Sequence, residues 1–220
     1  MELLSNGNRK YRYRKDLKVL TFGLPPIRTC PGAGECKKFC YAKAGRMLMP
    51  SATQVMERRF RASKRVNFFD MVTDELARRK CDMVRIHDSG DFYNAEYLGK
   101  WIGIAQRFPA KTFFAYTKMV RMFKAYECQG KSQLPGNLKI IYSMGGKFDH
   151  LIDAKKDNHA RVFATQEDMN RAGYKSSPDN LPLSFHDDHI KNCPLSFRHD
   201  HRREGFVYHG VKKWINCGVK

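Results

Sequence analysis

Acidic residues are scarce in this sequence and long apolar runs are missing, and each lack narrows the possibilities. Asp and Glu number 22 against 41 Lys and Arg in 220 residues, a net charge of +19. No stretch reaches the ~18–20 uncharged apolar residues that a membrane helix needs. Residues 1–15 hold no apolar segment followed by a small-residue cleavage site, so no signal peptide is read there. A cytoplasmic chain with no membrane partner is the expectation. The sequence has no P-loop, no G-x-G-x-x-G after a strand, no H-E-x-x-H and no G-x-S-x-G, which removes the common nucleotide-binding and hydrolase signatures. Internal repeats and low-complexity segments are also missing. A hydrophobic content of 42% still suffices for one domain with a sizeable core.

What is present is positive charge in clusters: residues 9–15, residues 58–65, and a late run through Arg198, Arg202 and Arg203. A clustered excess of this size attracts polyanions, so a nucleic acid or phosphorylated partner is expected. Residues 1–16 read as a basic arm in which Tyr11 and Tyr13 alternate with Lys10, Arg12, Arg14 and Lys15. Cations there could meet phosphates while the rings stack on bases. An edge strand is the competing use of the same alternation.

From residue 17 a single α/β domain is predicted. Residues 18–24 form a β-rich run ended by Pro25 and Pro26. Capping-box spacing at Ser51 opens a helix through about Lys64, and a second helical pattern covers 68–79. Strand patterns at 83–86, 112–116, 138–142 and 161–164 then alternate with helical ones at 97–108 and 119–127. This rhythm predicts mainly parallel strands with helical crossovers, a partial or open (βα) barrel. Residues 173–220 lose the pattern and are expected to form a loop-rich, irregular C-terminal cap.

Each predicted strand runs into small or polar residues, and in parallel α/β folds sites form at the carboxyl ends of strands. His87, Asp88 and Asp91 are the candidate acid–base or ligand-orienting groups. Ser89 and Gly90, Tyr116 and Thr117, and Ser143 are the candidates for holding a cofactor at the same mouth.

The sharpest feature is Thr29-Cys30-Pro-Gly-Ala-Gly-Glu-Cys36-Lys-Lys-Phe-Cys40-Tyr41-Ala42. Three cysteines in one Pro/Gly-rich loop bring three thiolates together without help from distant chain. In a reducing compartment such cysteines point to metal or catalysis rather than to disulfides. Lys37, Lys38 and Arg28 are expected to lower the thiol pKa values. Zinc remains open, though it usually shows paired knuckles and four ligands. Three local thiolates suit a [4Fe–4S] cluster with one iron open or completed from afar. Cys193 and Cys217, in a tail with His199, His201 and His209, are further candidate ligands. Cys81 and Cys128 read as ordinary thiols.

The segments TCPGAGECKKFCYA, RIHDSGDFYNAEYLGKW and FFAYTK, in that order, resemble the phage "gene product 88" family. Weaker likeness around YSMGG and VFATQ extends the resemblance over most of residues 18–166. It implies a phage origin, and hence the cytoplasm of an infected host, more firmly than it implies a reaction. More distantly, a three-cysteine loop after the first strand resembles the radical S-adenosylmethionine enzymes. That likeness implies that Cys30, Cys36 and Cys40 hold a [4Fe–4S] cluster and that S-adenosylmethionine binds the open iron. It further implies that Asp88 to Asp91 meet the methionyl amine and that Tyr41 is the aromatic beside the last cysteine. The spacing here, C-x₅-C-x₃-C, departs from that superfamily's C-x₃-C-x₂-C, and no Gly-Gly-Glu-Pro follows the second strand. The function these features imply is a radical S-adenosylmethionine-like enzyme acting on nucleic acid or a nucleotide. The alternative is a nucleic-acid-binding protein with a structural cluster or zinc.

Overall fold

The computed structural model describes residues 2–7, 11, 16–128, 134–176 and 203–207. Seven strands form one open sheet: β1 (Ser5–Asn6), β2 (Val19–Phe22), β3 (Met83–Ile86), β4 (Thr112–Thr117), β5 (Leu138–Ser143), β6 (His159–Phe163) and β7 (Arg203–Val207). They lie side by side in chain order. β1 is antiparallel to β2, and every later pair is parallel. A parallel sheet wound in sequence order by right-handed crossovers carries its helices on one face. The open (βα) architecture expected from the pattern is therefore the one present.

The helices are α1 (Pro50–Ser63), α2 (Phe68–Arg78), α3 (Ala95–Arg107), α4 (Val120–Cys128) and α5 (Gln166–Arg171). Ser51 does not cap α1: Pro50 occupies the first turn, where a missing N–H costs nothing, and Met49 precedes it without a side-chain cap. Asn94 caps α3 by accepting the Tyr97 N–H at 2.8 Å. Residues Phe68, Val72 and Leu76 of α2 recur at helical spacing, as do Tyr97, Leu98, Trp101, Ile102 and Ala105 of α3, and all are buried. They pack on Phe22, Val84, Ile86, Phe113 and Ala115, which share one face of the sheet. The rings of Phe22, Phe68 and Trp101 meet edge to face at 5.3–5.8 Å.

Two expected boundaries differ. The segment read as the start of a basic arm enters the core. Leu3 and Leu4 are buried, and their N–H groups donate to the Glu75 carboxylate at 2.6 and 3.1 Å. Arg79 pairs with the same carboxylate at 2.6 Å, so the buried charge is matched. The stretch expected to be an irregular cap supplies β7, the last strand of the sheet. Gly205 makes this possible, because any side chain there would collide with Met169 and Tyr174.

The sheet's other face carries Met83 and Arg85 on β3, Phe114 and Tyr116 on β4, Ile141 and Ser143 on β5, Ala160 and Val162 on β6, and Glu204 and Phe206 on β7. The register puts these residues in line. Strand alternation thus turns four polar side chains, Arg85, Tyr116, Ser143 and Glu204, out of an otherwise apolar face opposite α2 and α3.

Candidate metal centre

The loop holding the cysteines follows β2 and folds back over the carboxyl ends of β3, β4 and β5. Backbone hydrogen bonds fix it there. Cys36 N–H donates to Gly145 O at 3.1 Å, Lys147 N–H to Gly32 O at 2.8 Å, and Asp91 N–H to Thr29 O at 3.1 Å. Ala33 and Gly146 form an antiparallel bridge. Gly32 is required by this contact, since a Cβ would stand 2.5 Å from the Lys118 carbonyl oxygen. Gly90, at φ 82°, sits in the left-handed region that favours glycine.

Cys30, Cys36 and Cys40 line one cavity of about 480 Å³. Its other walls include Tyr41, Ser89, Gly90, Asp91, Tyr116 and Ser143. Most residues singled out in the sequence therefore converge on one mouth at the strands' carboxyl ends. Among the described residues, no three Cys, His, Asp or Glu side chains stand close enough to hold a single metal ion.

The electrostatics differ from the expectation. Burial pushes the Cys30 thiol up to about 12, helped by the nearby Asp91 carboxylate. Burial also raises Cys36, against the pull of Lys118. Neither Arg28 nor Lys38 serves the thiols: Arg28 pairs with Glu57 at 2.5 Å, and Lys38 with Glu35 at 2.5 Å. The cation that faces Cys36 is Lys118, contributed by the end of β4. Its ammonium donates to Ser143 O, Ser143 Oγ and Met144 O at 2.7–2.9 Å, tying the β4 and β5 loops together.

Asp91 is held by three donors. Phe92 N–H and Thr117 Oγ reach its Oδ1 at 2.7 and 2.6 Å, and Lys118 N–H reaches Oδ2 at 2.8 Å. Burial nevertheless pushes its carboxyl up to about 6. Thr117 is fully buried beneath Asp91 and supports it rather than lining the cavity. Asp88 also stands off the cavity wall, its pKa raised by burial and opposed by Arg85 and Arg59. The backbone carbonyl of Asp88 accepts the Tyr41 hydroxyl, which turns the exposed Tyr41 ring across the mouth.

His87 also borders the cavity, with most of its ring set in the core. Its φ is 66°, and its ring packs among Phe22, Phe92 and Tyr97. Nε2 is 2.9 Å from the Tyr97 hydroxyl, while Nδ1 is buried without a partner. Burial lowers its pKa to about 3, so the ring is neutral at ordinary pH. Its imidazole is a core group under the Asp88–Asp91 turn.

The chain matches the family model described as Gene product 88 over residues 2–218. It belongs to the gene product 88 family. No curated protein and no solved structure matches it, and the more distant likeness to radical S-adenosylmethionine enzymes has no counterpart among the matches. In this member of the gene product 88 family, Lys10, Arg12, Arg14, Lys15, Cys193 and Cys217 lie outside the described residues. Among the described residues, no helix is long and apolar enough to cross a membrane.

Two site residues, Phe206 and Arg85, went unremarked in the sequence, while Lys118 was legible as a polar residue after a strand. Phe206 lay in the stretch read as irregular. Arg85 carried a usable signal, being the one charge in the four-residue strand Met83–Ile86.

Proposed function

We propose that Cys30, Cys36 and Cys40 hold a [4Fe–4S] cluster and that the protein is a phage-encoded, radical S-adenosylmethionine-like enzyme acting on nucleic acid or a nucleotide. The observation that carries this is the shared cavity: three thiols of one loop stand on the wall of a pocket at the strands' carboxyl ends. A structural metal alone needs no such mouth.

Three thiolates from one short loop suit a cluster, whose irons each take one thiolate, better than a single zinc ion, which wants four ligands. Raised thiol pKa values are compatible with it, since metal binding displaces protons that the buried thiols hold in the free protein. When bound, the cluster would supply an electron to S-adenosylmethionine at an iron without a protein ligand.

The chain's own residues supply placement. Asp91 joins the β3 and β4 loops behind Cys30, and Lys118 joins the β4 and β5 loops beside Cys36. Tyr41 narrows the entrance. The cavity wall is otherwise largely apolar, with Ile27, Ala33, Phe39 and Val162 limiting water around the thiols. Tyr41 and Lys37 line the cavity, and exposed Leu48 and Met49 follow in the next turns with Lys43 and Arg46. Apolar and aromatic groups among cations suit a single-stranded nucleic acid.

Reduced, iron-loaded protein should show a cluster resonance that S-adenosylmethionine perturbs. A resonance that ignores the cofactor would remove the enzyme and leave a structural cluster in a nucleic-acid-binding protein.

A further inference from the structure

Arg85 stands on the face of β3 opposite α2 and α3 and lines the same cavity as the thiols. Its surroundings are aromatic rather than acidic. The guanidinium lies 5.4 Å from the centre of the Tyr116 ring, and Nη1 donates to the Tyr11 hydroxyl at 3.1 Å. Nε is buried and has no hydrogen-bond partner. Among the described residues, no carboxylate lies within ion-pairing distance of it. The acid nearest in electrostatic effect is Asp88, whose charge also acts on Arg59. Burial opposes the charge on Arg85, yet Tyr11, Tyr41, Tyr116 and Asp88 together hold its pKa above the ordinary value. The group is thus a permanent cation with part of its donor fork unused.

Arg85 is half-buried on the cavity wall, so its charge is partly desolvated there. Packing alone does not call for that charge, because a Met or Leu would fill the same space among Tyr11, Tyr116 and Met83. Lys118 cannot serve in its place, since its ammonium already makes three hydrogen bonds to the β5 loop. A planar fork with free donors, set in an aromatic wall, suits a phosphate or carboxylate oxygen pair. Tyr116 and Phe206, with ring centres 5.7 Å apart, form the wall beside it.

We infer that Arg85 is an anion-binding group, and that the ligand of this cavity carries a phosphate or carboxylate and enters with that group leading, toward the face of β3 that carries Arg85. The inference rests on reading this cavity as the functional site, but not on what the thiols hold.

The two are separable by experiment, because anion binding is measured on metal-free protein while the cluster is measured by iron content. Calorimetric titrations of the full chain would use inorganic phosphate, acetate, adenosine 5′-monophosphate and adenosine. Phosphate or acetate should bind the wild type, and the stronger of the two identifies the anion. Adenosine 5′-monophosphate should bind more tightly than adenosine if the anion is phosphate. Arg85→Met should weaken the anionic probe by about ten- to a hundredfold, the loss expected for a charge-assisted pair. Arg85→Lys, which keeps the charge and guards against misfolding of the first variant, should lose several-fold because an ammonium cannot present the fork. Arg107→Met removes the same charge from exposed α3 and should change nothing, which separates a site from the general attraction of a cationic protein. Equal anion affinity in wild type and both Arg85 variants overturns the inference, as does a wild type that binds none of the anions at millimolar concentration.

Discussion

The Tyr116 hydroxyl on β4 donates a hydrogen bond to the Glu204 carboxylate on β7, 2.8 Å away. These strands are three places apart in the sheet. At about 4.8 Å per strand, a flat sheet would separate them by roughly 14 Å. Two side chains spanning that distance require the face that carries them to be concave. The curl makes the cavity, since it brings Phe206 of β7 against Tyr116 and leaves the strand ends facing the cysteine loop.

Tyr116→Phe should therefore weaken the protein by about 1.5–3 kcal/mol, the range for a hydrogen bond to a buried charged group. Urea unfolding checks this, and a change within about 0.5 kcal/mol would mean that the tie contributes nothing to the curl.

His87 should give the protein an acid-sensitive core. Its folded pKa of about 3 lies below the ordinary 6.5, so the unfolded chain binds more protons between those values. Its contribution is complete above pH 6.5 and declines as the pH falls, by up to about 1.4 kcal/mol per unit. Asp91 works in the opposite sense. Its pKa rises from 3.8 to about 6, so its contribution is complete below 3.8 and is lost as pH rises through 6. His87→Asn, which tolerates positive φ, should flatten the wild-type slope of unfolding free energy between pH 6.5 and 4. An unchanged slope would show that the imidazole titrates freely.

The sheet and its helices were legible because alternation and helical spacing are local signals. The strand pattern at 83–86 coincides with β3, and that at 112–116 falls one residue short of β4. The three-cysteine loop was legible for the same reason. Long-range chemistry was not. Leu3 and Leu4 are buried because Glu75, some seventy positions on, accepts their N–H groups, and nothing near residue 3 signals this. The Asp91 partners Thr117 and Lys118 lie on the next strand. His87 was a candidate acid–base group by its neighbours in sequence, which could not show that its ring packs on Phe22, Phe92 and Tyr97 while the residue borders the cavity. Glu204 and Phe206 sat in a stretch too polar to read as a strand, and only Gly205 lets it pack.

Nucleic-acid binding should depend on the cations in and just after the cysteine loop. Replacing Lys37, Lys43 and Arg46 together with Gln should reduce the log–log salt slope for a single-stranded oligonucleotide by about two, near 0.7 per lost phosphate contact. Cys81→Ala, in a buried position just before β3, should leave the slope alone. A slope unaffected by the triple change places the contact elsewhere on this basic chain.

Anaerobic reconstitution with iron and sulfide, followed by metal analysis and electron paramagnetic resonance, tests the central claim most directly. The account predicts brown protein with about four irons and four sulfides per chain and a resonance on reduction. Both should be abolished by Cys30→Ala, Cys36→Ala or Cys40→Ala, and kept in Cys81→Ala. Cys193→Ala should keep them too if one iron lacks a protein ligand, whereas a fall to three irons would mark Cys193 as the fourth ligand. Colourless protein carrying stoichiometric zinc, or a full iron complement in any of the three loop variants, would contradict it.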